Sequence, residues 1–176
     1  GSKRWAWRLT AARCSGQTWR LIMFNYRGSA SGLYDQNTFD KQFLKDIARA
    51  QSSLVIESPF IRLSRVEQLI PVIIKLRRRG VSVIINTRSP EEHDNIYMAQ
   101  AVEAIAMLQN LGAKVLFTVK HHRKIAVIDH EVFYEGSLNI LSYYDSCEIM
   151  RRTVSPSEAD VLLRFIGLHK YLTKVS

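Results

Sequence analysis

Residues Val119–Asn139 read VKHHRKIAVIDHEVFYEGSLN. Two runs rich in β-branched and aromatic residues, Lys124–Asp129 and Val132–Glu135, flank a short polar turn at His130, so neighbouring strands are expected. In extended chain, residues two apart share a face. His122 and Lys124 therefore project together, while Arg123 and Ile125 face the other way. Gly136 permits a tight backbone approach, and Ser137 and Asn139, again two apart, offer a hydroxyl and an amide to one oxyanion. An imidazole, an ammonium and two polar groups converging suit a phosphate. The imidazole can attack phosphorus, and Lys124, Ser137 and Asn139 can hold the charge that builds on the non-bridging oxygens. This chemistry calls for neither a metal nor an organic cofactor. Asp129 stands an odd number of residues from both His122 and Lys124, which gives it a supporting role without phosphate contact. By the same parity His121 reads as a partly exposed or structural histidine.

Upstream of this stretch the pattern alternates. Asn37 followed by Asp40 predicts a helix start, with Phe39, Phe43, Leu44, Ile47 and Ala48 at helical spacing. SLVIESP (Ser53–Pro59) reads as a buried strand. A second helix follows over Ser64–Arg79 with Val66, Ile70, Ile73 and Leu76 inside and Gly80 past its end, and then VSVIINT as another strand. SPEEHDN is polar loop, and Met98, Val102, Ile105 and Leu108 mark a third helix closed by Gly112. Lys114–Val119 is extended, and a last strand begins near Glu148. Ser155-Pro156-Ser157-Glu158 is a capping-box start for a helix around Val161, Phe165 and Leu168. Strands alternating with helices, then adjacent strands, predict an α/β fold: a mixed β-sheet sandwiched by α-helices.

The chain of 176 residues is long enough for one ordinary domain, and its 47% apolar and 23% charged content is that of a globular protein. No apolar run approaches a membrane span, so no membrane partner is expected. Cys14 and Cys147 make neither a disulfide framework nor a zinc pattern, and a reducing, cytoplasmic setting is the expectation. The net charge of +9 favours a polyanionic partner, nucleic acid above all. Lys120 and Arg123, which flank the motif, are the candidate substrate-binding cations with Gly136. Arg62, Arg65, Arg151 and Arg152 are further candidates for a backbone-tracking surface. Arg77–Arg79 read as a solvated helix end.

His122-x-Lys124, four residues, Asp129, six residues, Gly136-Ser137-x-Asn139 resembles the complete HKD signature of the phospholipase D superfamily. The match fixes six positions, and the order of elements from Asn37 to Leu172 suits that family's fold. The resemblance implies catalytic roles for His122, Lys124, Asp129, Ser137 and Asn139. It also implies a phosphohistidine on His122 and a second histidine, from another copy of the motif, as acid. A carboxylate after the Gly-Ser-x-Asn turn would hold the nucleophile's other ring nitrogen. Glu148 fits that place best, ahead of Asp145. Only one motif is present, since His93 and His169 lack a lysine two residues on and His121 has Arg123 there. A two-fold homodimer is therefore expected.

The expected activity is a metal-independent phosphodiesterase, a nuclease acting on DNA or RNA. Two alternatives stand beside it. One is a phospholipid-cleaving enzyme of the same chemistry. The other is a nucleic-acid-binding or dimerisation module of a larger machine, because ESPFI, NTRSPEE, EGSLNILS and EIMRR are similar to PLD-like domains attached to helicases and restriction systems. Gly1-Ser2 reads as a cloning remnant and leaves room for further domains of a parent protein. Residues 1–36 read as a basic, aromatic extension or linker, with TWRLIMFNY (Thr18–Tyr26) as one extra strand, and residues 37–176 as the catalytic domain.

Overall fold

The computed structural model describes residues 30–142 and 146–172. Seven strands form one sheet: β1 (Ala30–Asp35), β2 (Ser53–Glu57), β3 (Ser82–Thr87), β4 (Lys114–Phe117), β5 (Ile125–Ile128), β6 (Val132–Gly136) and β7 (Ile149–Val154), in the order β1-β7-β6-β5-β2-β3-β4. β2, β3 and β4 are parallel, as their helical crossovers require, and the hairpin-linked half is antiparallel. Four helices flank the sheet: α1 (Phe39–Arg49), α2 (Leu63–Arg78), α3 (Asn95–Asn110) and α4 (Pro156–Phe165). The expected mixed α/β sandwich is the observed one.

Strand alternation divides the core between the two faces. Leu54, Ile56, Val83, Ile85, Ala126, Ile128 and Tyr134 meet α1, α2 and α3 through Phe39, Phe43, Leu69, Ile73 and Leu108. Val55, Ile84, Ile125, Val127 and Phe133 meet Ala159 and Leu163 of α4 and the chain after it. Helical stripes differ from expectation on α1, where Leu44 and Ala48 are exposed, and on α3 and α4. On α3, Val102 is 53% exposed, because the small Ala101 and Ala104 join Ile105 and Leu108 in letting the helix lie close to the sheet. On α4, Val161 and Phe165 are 66% and 82% exposed, and Ala159 and Leu163 form the inner face instead. A large apolar residue at helical spacing fixes the period but not the phase. The capping reading holds at Ser155, whose Oγ accepts from Glu158 N.

β1, at one edge of the sheet, arises within the segment read as an extension and pairs with β7 from Ala30↔Val154 to Asp35↔Ile149. Thr18–Tyr26, the strand expected there, lies outside the described residues, as do Cys14 and Asp145. No helix among the described residues is long and apolar enough to cross a membrane.

Asp129 fastens the far end of β5. With His130 it occupies the centre of the β5–β6 turn, both residues having positive φ (54° and 56°), closed by Glu131 N to Ile128 O. Its carboxylate accepts from the backbone N–H of Gln51 (2.8 Å), Ser52 (2.8 Å) and Ser53 (3.0 Å) and from Ser52 Oγ (3.0 Å). Burial works against ionisation, but these donors outweigh it and hold the carboxyl below its usual range. The folded-state pKa thus lies below the unfolded one. The stabilisation is complete above the unfolded value of about 4 and is lost as pH falls through the folded value. Asp129→Asn is expected to lower the unfolding free energy at neutral pH by about 1–3 kcal/mol and to flatten the acid side of the stability profile. Urea melts from roughly pH 2 to 7 check this, and a variant with the wild-type acid limb would refute it.

Candidate active site

Because β5 runs antiparallel to β2, the segment leading into β5 lies beside the C-terminal ends of β2 and β3. Residues 121–124 lie in that lead-in, just before the strand. The shared side of His122 and Lys124 is nevertheless kept, since Lys124 Nζ lies 2.7 Å from His122 Nδ1 and donates to the His122 carbonyl at 2.6 Å. His122 is exposed and Lys124 only 9% exposed. Burial lowers the Lys124 pKa, the Glu148 carboxylate works the other way, and Arg88 adds to the lowering.

The β5–β6 ladder carries Gly136 to this point, where its N–H donates to Lys124 O at 3.4 Å. A Cβ on Gly136 would stand 2.0 Å from the Ile149 carbonyl oxygen of β7, so no side chain fits here. Ser137 N then donates to Ile149 O (2.9 Å), its Oγ accepts from Ile149 N (3.0 Å), and the same hydroxyl donates to Glu148. Glu148 also accepts from Ser146 Oγ at 2.7 Å. Lys124, not Glu148, is the described group on His122 Nδ1. Asn139 follows on the same loop, partly buried, with Oδ1 enclosed and unpartnered. Beside Lys124 an open cleft of about 470 Å³ is lined by Leu33, Arg123, Glu135, Gly136, Ile149 and Arg151.

Thus His122, Lys124, Gly136, Ser137, Asn139 and Glu148 belong to one end of strands β5, β6 and β7, and Asp129 anchors the opposite end of β5. Lys120 sits in a turn with φ 54°, its N–H bonded to Glu92 at 3.0 Å. Arg123 is engaged by the fully buried Glu57, with Nε 2.7 Å and Nη2 2.9 Å from its two oxygens. Asn86 Nδ2 donates to Glu57 at 2.8 Å, and Thr118 Oγ1 donates to Asn86 at 3.1 Å. Sequence reasoning missed this support. Its signal was a carboxylate ending the otherwise apolar SLVIE strand. His121 is structural as expected, 3% exposed, and burial lowers its pKa.

Two arginines expected on a backbone-tracking surface are committed inward instead. Arg65 is 3% exposed and pairs with Asp40, and Arg152 pairs with the buried Asp46 at 2.6 Å. Asp46 also accepts from Tyr134 OH at 2.5 Å. Arg151 remains exposed.

A family model described as the cardiolipin synthase, PLD-like domain matches residues 43–161, more than half of the chain. The chain belongs to the phospholipase D superfamily of phosphodiesterases. Solved structures agree with this PLD-like domain in fold. Nuc from Salmonella typhimurium, a phospholipase D family member, superposes with a TM-score of 0.65 at 15% identity, covering 78% of this chain and 91% of that one. NucT from Helicobacter pylori gives 0.63 at 17%, covering 78% and 92%. Phosphatidylserine synthase from Haemophilus influenzae gives 0.57 at 12%, covering 81% of this chain but 38% of its own. No curated protein matches by sequence.

Proposed function

We propose that this domain is a metal-independent nuclease that cleaves DNA or RNA phosphodiesters through a phosphohistidine on His122, in an active site completed by a second copy of the chain. The observation that carries the reading is the contact of Lys124 Nζ with His122 Nδ1, with Ser137 and Asn139 on the adjoining loop. An ammonium has only donors, so while Lys124 holds Nδ1 the imidazole proton resides on Nε2. An incoming phosphate draws the ammonium to its oxygens, the Nε2 proton is lost to solvent while Nδ1 gains one from solvent, and the Nε2 lone pair is freed for attack. The N–P bond forms as the P–O bond to the leaving strand breaks, and the leaving oxygen takes a proton from His122 of the second copy, which enters as imidazolium and becomes neutral. Water then attacks phosphorus, the N–P bond breaks, and the water's proton passes to that second histidine. Lys124 and the Asn139 amide stabilise the developing charge, and the Ser137 hydroxyl joins them once a phosphate oxygen replaces Glu148 as its acceptor. Before that, Glu148 holds the Ser137 hydroxyl in place and lends the site its counter-charge.

Nucleic acid is favoured by the net charge of +9 and by the near-complete coverage of Nuc and NucT, which have the scale of this single domain. The family description and the phosphatidylserine synthase likeness favour a phospholipid as the second reading. The test is cleavage of labelled single- and double-stranded DNA and RNA in excess chelator, beside headgroup release from anionic vesicles. Oligonucleotide cleavage in chelator is the expected result. A strict magnesium requirement, or vesicle hydrolysis without strand cleavage, would overturn the reading.

A further inference from the structure

The loops leaving β2 and β3 build a second surface against the His122 loop. Phe60 follows β2, Arg88 follows β3, and His93 and Tyr97 lie at the start of α3. The rings form one cluster, with centroids of Phe60 and His93 5.4 Å apart, Phe60 and Tyr97 6.0 Å, and His93 and Tyr97 5.4 Å. Two guanidinium groups lie on it, Arg88 at 5.2 Å from the Phe60 centroid and Arg62 at 5.4 Å from that of Tyr97. Arg62 Nε also donates to Tyr97 OH at 3.1 Å. All five residues are partly exposed, where a cluster serving only as core would be covered.

This layer is tied to the reacting groups from both sides. Arg88 Nε donates to the carbonyl of His121, next to His122, at 2.9 Å, and its charge is felt at Lys124. Arg62 N donates to Leu141 O at 2.9 Å, and Leu141 N donates to Ser58 Oγ at 3.2 Å, which fixes the Phe60 loop to the segment that carries Asn139. Arg88 thus joins the ring and guanidinium layer to the loop that carries His122.

We propose that Phe60, Arg88 and Tyr97, with Arg62 and His93, form a stacking platform that takes an unpaired base flanking the scissile phosphate, making single-stranded nucleic acid the preferred substrate. The proposal rests on the nuclease reading and deepens it. Ring faces and guanidinium planes accept the π-face of any base, so the selection is for strandedness and not for sequence. A paired base is withheld from such a layer by its own stack. The arginines add phosphate attraction as well as cation–π contact.

Binding isolates the platform from turnover. His122→Ala protein is titrated with a short oligonucleotide carrying one 2-aminopurine, with the same strand bearing an abasic site there, and with the duplex. The expected results are quenching of the 2-aminopurine and a preference of roughly tenfold for the base-bearing strand over the abasic strand and the duplex. Phe60→Ala in the same background removes that preference, and Phe60→Trp, which keeps a ring in the cluster, strengthens it and controls for folding. Equal binding of base-bearing, abasic and duplex forms would overturn the platform and leave the nuclease reading standing. Failure of every oligonucleotide to bind, with capture by anionic vesicles, would overturn both.

Discussion

Replacing His122 by alanine is expected to bring strand cleavage in chelator down to background while leaving the melting temperature nearly unchanged. The side chain is exposed, and its removal costs the fold little beyond one contact with Lys124, which keeps the His122 carbonyl as acceptor. Catalysis loses its nucleophile, and in the second copy its acid. Loss of an acid alone would cost about 10²–10⁴-fold, whereas loss of the attacking atom closes the covalent route. A mixing experiment separates the two roles. In an exchanging equimolar mixture of wild-type and variant chains, about a quarter of the two-fold dimers carry both histidines, so activity falls below the half expected of independent sites. Activity that stays at half, or a variant that still cleaves, would refute the shared site.

The second large effect is expected from Arg123→Ala, this time on stability. Arg123 is 41% exposed, and an ion pair judged from that end would be worth under about 1 kcal/mol. Its partner decides otherwise. Glu57 is fully buried, and without Arg123 its described hydrogen bonding is reduced to Asn86. A buried carboxylate stripped of its cation costs about 3–5 kcal/mol, so the variant should unfold at markedly lower urea concentration. Cleavage should fall with it, because Arg123 stands between His122 and Lys124 and holds their backbone against β2. The double variant Glu57→Gln with Arg123→Met removes charge from both sides and is expected to recover much of the stability but not the cleavage. A single variant within about 0.5 kcal/mol of wild type would show that the pair does not anchor the site.

Much of this architecture is legible in the sequence because strand parity and helical period are local properties. SLVIESP, VSVIINT and the two runs after His122 declare themselves as strands, and His122-x-Lys124 stays on one side although its own residues precede β5. What stays hidden depends on partners far along the chain. Arg65 and Arg152 look like surface cations until Asp40 and Asp46 are brought to them. Phe165 looks like core until Ala159 and Leu163 set the rotation of α4. Phe60, Arg88 and Tyr97 are dispersed in the sequence and become one surface only because parallel strands deliver their loops to the same edge. Glu148 is legible as a carboxylate close to the motif in sequence, but that it meets Ser137, and not the His122 ring as expected, depends on β7 returning beside β6.

The carbonyl of Ile149 standing where a side chain of residue 136 would begin has a consequence for how the site is gauged. The distance between the lysine and serine arms is set by the repeat of hydrogen-bonded main chain across β5, β6 and β7, not by the bulk of any side chain. Loops around the pocket can lengthen, shorten or exchange their contacts with substrate while that spacing persists. Even alanine at residue 136 would act as a wedge in the ladder, changing the spacing of Lys124 and Ser137 without altering either side chain.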